Sequence, residues 1–304
     1  MKKLLQIVAG AIWCMLHSAP ASAQTEIDGI MMYKNNFCFG TVYTHSSWDQ
    51  YWEGNFKREN ANLGSVTTQM LGVMGNYGIS NKLNVLFGVP YVQTKASAGQ
   101  LNSMKGVQDL SLWIKWMPVQ TNIGKGSLTL YGVGGYTFPL TDYTPDFLPM
   151  SIGLRSKTLS LRGMIDYEVN NLFATLSGTY MFRDNIKIDR DNYYTTEMHY
   201  TNEVKMPNAA QFNFRLGYRS ERLIAEAVIN QFNTLGGFDI TKNNMPFPSN
   251  KMNATMVGPH FKYNFKKPHG LSLVGGADYT VAGRNMGQAT SFSAGVFYVI
   301  HSLF

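Results

Sequence analysis

The chain has 304 residues, 44% hydrophobic and only 15% charged, with 26 Lys and Arg against 19 Asp and Glu for a formal net charge of +7. Its basic residues form no run and no nucleic-acid motif, so the positive balance does not point to nucleic acid. There are 2 cysteines, and Cys14 lies in the apolar leader, which excludes a disulfide-stapled secreted fold.

The leader comes first. Lys2 and Lys3 precede an apolar stretch from Leu4 to Leu16, and Ala21-Ser22-Ala23 supplies an A-x-A cleavage site before Gln24. Residues 1–23 therefore read as a secretory signal peptide and 24–304 as the mature chain. Cys14 follows Ala11-Ile12-Trp13 inside the apolar region, which fits ordinary cleavage better than a lipoprotein signal. Cys38, left alone after cleavage, reads as a small side chain on the first strand. No later stretch holds the roughly 18 consecutive apolar residues of a membrane helix. An exported all-β chain remains, either a soluble fold or an outer-membrane β-barrel.

The mature sequence alternates. Leu83, Val85, Phe87, Val89 and Tyr91 share one face, and Leu110, Leu112, Ile114 and Trp116 oppose Asp109, Ser111, Trp113 and Lys115. Leu159, Leu161, Ile165 and Tyr167 oppose Arg162, Asp166 and Glu168; Leu172 to Phe182 continues the pattern. The stretch AQFNFRLGYR sets Phe212, Phe214, Leu216 and Tyr218 against Arg215 and Arg219. Similar segments follow at 223–230, 257–265 and 271–281, where Glu226, Lys262 and Asp278 fall in the polar rows. Period two over these lengths predicts strands. With less regular candidates near 37–50, 65–78, 126–140 and 288–304, they come to about twelve, an even number as single-chain bacterial barrels require.

Connections alternate as well. Short polar turns are expected after the even strands, at Ser80-Asn81-Lys82, Thr121 to Gly126, Val169-Asn170-Asn171, Ser220-Glu221 and Lys267 to Gly270. Longer loops follow odd strands, including Trp52 to Gly64, Thr141 to Ser156, Asp184 to Asn208 and Gly236 to Met252. That asymmetry predicts a transmembrane up-and-down antiparallel β-barrel in the bacterial outer membrane, both termini periplasmic. Apolar rows ending in Tyr91, Trp116, Tyr167, Tyr180, Tyr218 and Tyr279 suit interfacial girdles in contact with outer-membrane lipid. The final alternation Phe292, Ala294, Val296, Tyr298, Ile300, Ser302, Phe304 resembles the C-terminal signature of bacterial outer-membrane proteins, which implies recognition by the assembly machinery through Phe304. Ser302 stands where that signature usually has an apolar residue.

GVQDLSLWIKW, Gly106 to Trp116, resembles a strand of the outer-membrane barrels labelled "putative MetA-pathway of phenol degradation". The glycine-rich run LTLYGVGGYTFPLTDY, Leu128 to Tyr143, resembles the next strand and turn of that family, with Pro139-Leu140-Thr141-Asp142 at the turn and Gln108 in place of a family glycine. The resemblance implies a passive transport role for small hydrophobic or aromatic permeants, and carries over no binding residues.

Inward charges have both signs: Asp109, Lys115, Arg162, Asp166, Glu168, Arg215, Arg219, Glu226, Lys262 and Asp278. They would either form an eyelet that selects permeants by charge or cross-pair into a network that holds the barrel's shape. The second arrangement fits a structural or adhesive barrel with a closed lumen. Catalysis would need a serine beside an oriented histidine. Tyr43-Thr44-His45-Ser46-Ser47 is the nearest approach to one, so a lipid hydrolase stands as a minor reading and the chain is not expected to be an enzyme. Histidines at 45, 199, 260, 269 and 301 are dispersed, and neither a metal nor another cofactor is expected. No nucleotide motif and no plug domain of active-transporter size appears. The loop aromatics Tyr193, Tyr194, Phe147 and Phe247 would line an entrance or pack the loops together.

Overall fold

The computed structural model describes residues 25–240 and 244–301. The signal peptide and the Phe304 terminus lie outside the described residues. Within them, strands β1 (Phe37–Trp48), β2 (Val66–Ser80), β3 (Leu83–Ala96), β4 (Asp109–Ile123), β5 (Gly126–Pro139) and β6 (Thr158–Val169) form the first half of one sheet. Strands β7 (Leu172–Arg183), β8 (Ala209–Arg219), β9 (Leu223–Thr234), β10 (Asn253–Asn264), β11 (Leu271–Arg284) and β12 (Thr290–Ile300) form the second. Each pairs antiparallel with its chain neighbours, and β1 also pairs with β12 from Phe37↔Ile300 to Ser47↔Thr290. The sheet has closed on itself, leaving no edge.

Turn chemistry sets the short end. Asn170 and Asn171 both take positive φ (49° and 68°), as a two-residue hairpin demands, and Gly124 takes 61°. A short piece, Lys105–Val107, extends β4 beyond Gln108, whose N–H still donates to Pro90 O at 2.9 Å, so the wall continues through the irregularity.

Which face meets which solvent is plain from exposure. Phe212, Phe214 and Leu216 are 55%, 38% and 54% exposed, while Asn213 and Arg215 between them are buried. A sandwich would have reversed that order. Aromatic residues ring the outer surface at two levels: Trp116, Tyr167 and Tyr218 toward the short turns, Tyr91, Tyr180 and Tyr279 toward the long loops. An apolar belt between two aromatic girdles is what a membrane-spanning barrel presents to lipid. Phe214→Arg, at the middle of β8, is expected to destabilise the barrel by about 2–4 kcal/mol in denaturant unfolding from lipid vesicles; a shift under half that would argue against lipid contact there.

The long loops pack among themselves. Tyr193 stacks between His199 and Phe247, at centroid distances of 4.7 and 5.2 Å, over Ile186, Ile188, Val204 and Met206. Asp239 grips Arg284 and accepts from Asn285, and the Arg284 hydrogen bond holds its carboxyl below the usual range. Tyr193 and Phe247 therefore pack the loops together.

Candidate functional site

The ten charges singled out above all fall in the inward register of their strands. Several pair across the wall. Arg215 Nη1 binds Glu226, and its Nε donates to Asn213 Oδ1 at 2.9 Å. Arg219 reaches Asp166 at 3.0 Å and Glu168 at 2.9 Å and lies 3.9 Å over the Phe173 ring. Thr175 donates to Asp166 as well. His260 Nε2 sits 3.1 Å from Asp278. Asp109 is at the long-loop mouth, where it accepts from Tyr143 Oη at 2.6 Å. Burial and that carboxylate push the Tyr143 hydroxyl up, so it stays a donor.

Lys115 and Arg162 have partners outside the wall. The strand neighbours of Lys115, Asn84 and Val133, carry no charge. Its ammonium is instead surrounded by residues 25–30 of the N-terminal segment: Nζ lies 3.0 Å from Thr25 O, 2.6 Å from Asp28 O, 3.0 Å from Asp28 Oδ1 and 2.8 Å from Ile30 O. An ammonium has three protons, so these four oxygens share them. Asp28 tightens the turn by accepting from Thr25 N at 2.6 Å and Ile30 N at 3.2 Å. Arg162 Nη1 donates to Glu26 O at 3.0 Å, and Tyr131 Oη to Gly29 O at 2.7 Å. Lys115 is 0% exposed as a result.

The segment therefore occupies the lumen. It is fixed at the short-turn end by Lys34 N to Asn81 Oδ1 (3.0 Å) and Asn35 N to Gly78 O (2.8 Å), then turns into β1 at Phe37. Met32 packs on Cys38, Phe297 and Val299, and Met31 on Met117, Tyr131 and Met164. Two glycines make room. A Cβ on Gly78 would lie 2.1 Å from Tyr33 O, and one on Gly29 would lie 2.3 Å from Asp166 Oδ1. Asp166 is clamped by Arg219 and Thr175 and has nowhere to go. Gly29→Ala is thus expected to weaken seating of the segment by about 1–3 kcal/mol, seen as faster proteolysis near residue 29; unchanged protection would show that the segment has slack there.

The other end is narrowed by the loop after β5. Tyr143 and Ile152 pack onto Met70 and Val92, which face the lumen, and Thr94 Oγ1 donates to Met150 O at 2.6 Å. Hydrogen bonds from the wall to residues 25–30 of the segment come from Lys115 of β4, Tyr131 of β5 and Arg162 of β6. Between it and the opposite wall, β8 to β12 with β1 and β2, remains a cavity of about 190 Å³. Arg215, Arg219, Glu226, His260 and Lys262 border it from the wall, and Asp28 from the segment.

In the His45 stretch, His45 and Ser46 are consecutive on β1 and so face opposite sides of the wall, whereas Ser47 shares the side of His45 and lies 3.4 Å from Ser65 Oγ. Ser46 is bonded to Ser291 Oγ at 2.9 Å. Among the described residues no cluster of three or more metal-ligating side chains occurs.

No protein-family model and no curated protein matches the sequence. Solved structures do match the fold. The COG4313 outer membrane channel from Pseudomonas putida F1 superimposes with a TM-score of 0.68 at 14% identity, over 92% of this chain and 100% of that one. Weaker matches include the translocator domain of the autotransporter NalP from Neisseria meningitidis (TM-score 0.47, 13% identity, 86% and 87% of the two chains). The β domain of the Bordetella autotransporter BrkA is similar at TM-score 0.46, 12% identity, and 87% and 99%. The fold implied by the motifs at Gly106–Trp116 and Leu128–Tyr143 is the fold found: a closed β-barrel of twelve strands, similar to that of the COG4313 outer membrane channel.

Proposed function

We propose that this protein is a passive outer-membrane channel for small, apolar-bodied or aromatic molecules, closed at rest by its own N-terminal segment. The observation that carries the reading is that residues 25–30 lie in the lumen, hydrogen-bonded by Lys115, Tyr131 and Arg162 of β4 to β6, with a cavity between them and β8 to β12. A structural filler would be expected to bond around the whole circumference; a gate needs one wall to hold it and another to slide past. The mixed-sign wall network keeps the barrel's shape while the segment moves. Solutes would enter at the long-loop end, taken as the cell exterior, and leave past the segment into the periplasm. The resemblance noted for Gly106–Trp116 supports apolar permeants, and no catalytic role is assigned.

A second reading is favoured by the extent of the ion-pair network: a closed barrel whose loops contact a partner. Planar-bilayer recording of refolded protein separates the two. A channel shows brief openings in the native protein, together with slower solute uptake in a deletion strain than in its parent. Silence in both assays would sink the channel.

A further inference from the structure

Charge is distributed unevenly along the barrel axis. The long loops, residues 49–65, 97–108, 140–157, 184–208, 235–252 and 285–289, carry ten Lys and Arg against eleven Asp and Glu. The opposite end is basic. Lys34 precedes β1, Lys82 lies in the turn after β2, Lys125 in that after β4, Arg222 in that after β8, and Lys266 and Lys267 in that after β10. All six are exposed, and the one acid in those turns is Glu221. Glu168, at the end of β6, belongs with Asp166 and Arg219 to the lumenal ion pairs. Even with that triad's surplus carboxylate counted, four positive charges remain in excess at this end among the described residues.

The strands set the depth of these cations. Lys82 adjoins Leu83, the strand partner of Trp116, and Met117 N donates to Lys82 O at 2.9 Å. Lys34 is beside it, its N–H donating to Asn81 Oδ1 at 3.0 Å. Lys125 stands two residues beyond Ile123, whose carbonyl accepts from Tyr167 Oη at 3.1 Å. Arg222 precedes Leu223 and Lys266 follows Phe265, both exposed on the lipid face. At about 3.3 Å per strand residue, a residue or two beyond the apolar belt is the depth of lipid headgroups. The cations also occupy four of the five short turns, so they form a ring. A soluble partner would meet a compact patch; an annulus of lipid meets a ring. Basic residues at this depth attract anionic headgroups over about one Debye length. We propose that the short-turn end binds anionic phospholipid headgroups of the leaflet it faces and enriches those lipids around the barrel. The long-loop end, with its balanced charge, has no such preference. The inference holds whether or not the lumen conducts.

Quenching of tryptophan fluorescence by brominated lipid reads this directly, because Trp116 is the exposed tryptophan among the described residues and lies beside Lys82. The full chain is refolded into phosphatidylcholine vesicles holding a minor fraction of phosphatidylglycerol, with the bromine on one lipid or the other; Trp116→Phe gives the background. At low salt phosphatidylglycerol should be enriched about fivefold over phosphatidylcholine next to Trp116, the ratio expected of a basic residue near a charged surface. In about 1 M salt, where screening acts within about 3 Å, the ratio should fall toward one. Lys34→Gln with Lys82→Gln should abolish the enrichment at low salt. Lys57→Gln with Lys205→Gln, which removes two exposed charges from the long loops, should leave it unchanged. The shift in gel mobility on boiling checks that each variant is folded. No enrichment around the native protein, enrichment that persists in folded Lys34→Gln with Lys82→Gln, or an equal loss in the long-loop variant would each overturn the proposal. Binding of polyglutamate to the detergent-solubilised chain without any lipid enrichment would also overturn it, and would give this face to an acidic protein partner.

Discussion

Lys115→Met is expected to convert a mostly closed barrel into a mostly open one. The substitution keeps the length of the side chain and removes its charge. It leaves Asp28 Oδ1 and three backbone carbonyls, those of Thr25, Asp28 and Ile30, without their common donor. Breaking a buried ion pair by removing one partner costs about 3–5 kcal/mol, since the other charge stays behind uncompensated. That cost falls only on the seated state, because an expelled segment is hydrated. The closed-to-open ratio should therefore fall by roughly two to four orders of magnitude. In planar bilayers the variant should show long-lived openings where the native protein shows rare ones. Lys115→Met with Asp28→Asn should recover much of the closed state, because the orphaned charge is gone while the shape of the turn is kept. If Lys115→Met opened no more often than the native protein, the segment would not be the gate. Conversely, replacing residues 25–30 by Gly-Ser repeats should open the channel whatever residue stands at 115, as the cation would then have nothing to hold.

The sequence made the wall legible and the lumen only half so. Alternation placed Phe212, Phe214 and Leu216 on the lipid side because a strand gives its side chains only two directions. Turn and loop lengths ordered the strands, since antiparallel neighbours need only short connections. Inward assignments for all ten charges follow from the same parity. Partners are another matter. Arg215 with Glu226 and Arg219 with Asp166 depend on register between strands and, for the second, on a reach across β7; one sequence does not fix either. The N-terminal segment was missed for a different reason. Residues 25–36 have no period and no length to suggest a plug, and their bonds to the wall run largely through backbone carbonyls, which every sequence carries. A trace was nevertheless present: Lys115 was the only cation on an otherwise apolar stretch of β4, with no acid predicted opposite it. A buried lysine must find its counter-charge somewhere, and the structure supplies it from Asp28, an acid the strand pattern left unassigned. Loop aromatics were ambiguous on sequence because Tyr193 and Phe247, far apart in the chain, stack only once two loops meet.

Arg219→Met should be the most destabilising substitution in the wall, and it should act on the barrel rather than on the gate. Its guanidinium joins Asp166 and Glu168 on β6 from two strands away, and its plane lies on Phe173 of the strand between. Asp166 is 4% exposed, and its oxygens also receive Thr175, while Gly29 of the segment presses against it. Methionine retains the packing on Phe173 and removes the charge, so two neighbouring carboxylates face each other with one hydroxyl between them. The expected loss is again about 3–5 kcal/mol for a buried charge left unpaired, read as a lower denaturant midpoint in lipid vesicles. Asp166→Asn in the same chain should restore at least half of that loss, because one of the two carboxylates is then neutral. Lys115→Met, by contrast, should shift the unfolding midpoint less, since an expelled segment lets its orphaned carboxylate reach water. The two variants thus separate shape from gating: one lowers stability while the lumen stays occupied, the other opens the lumen in a barrel that stays folded. Equal effects of both on stability and on conductance would mean that wall and segment form a single cooperative unit, and the independent motion required of a gate would be lost.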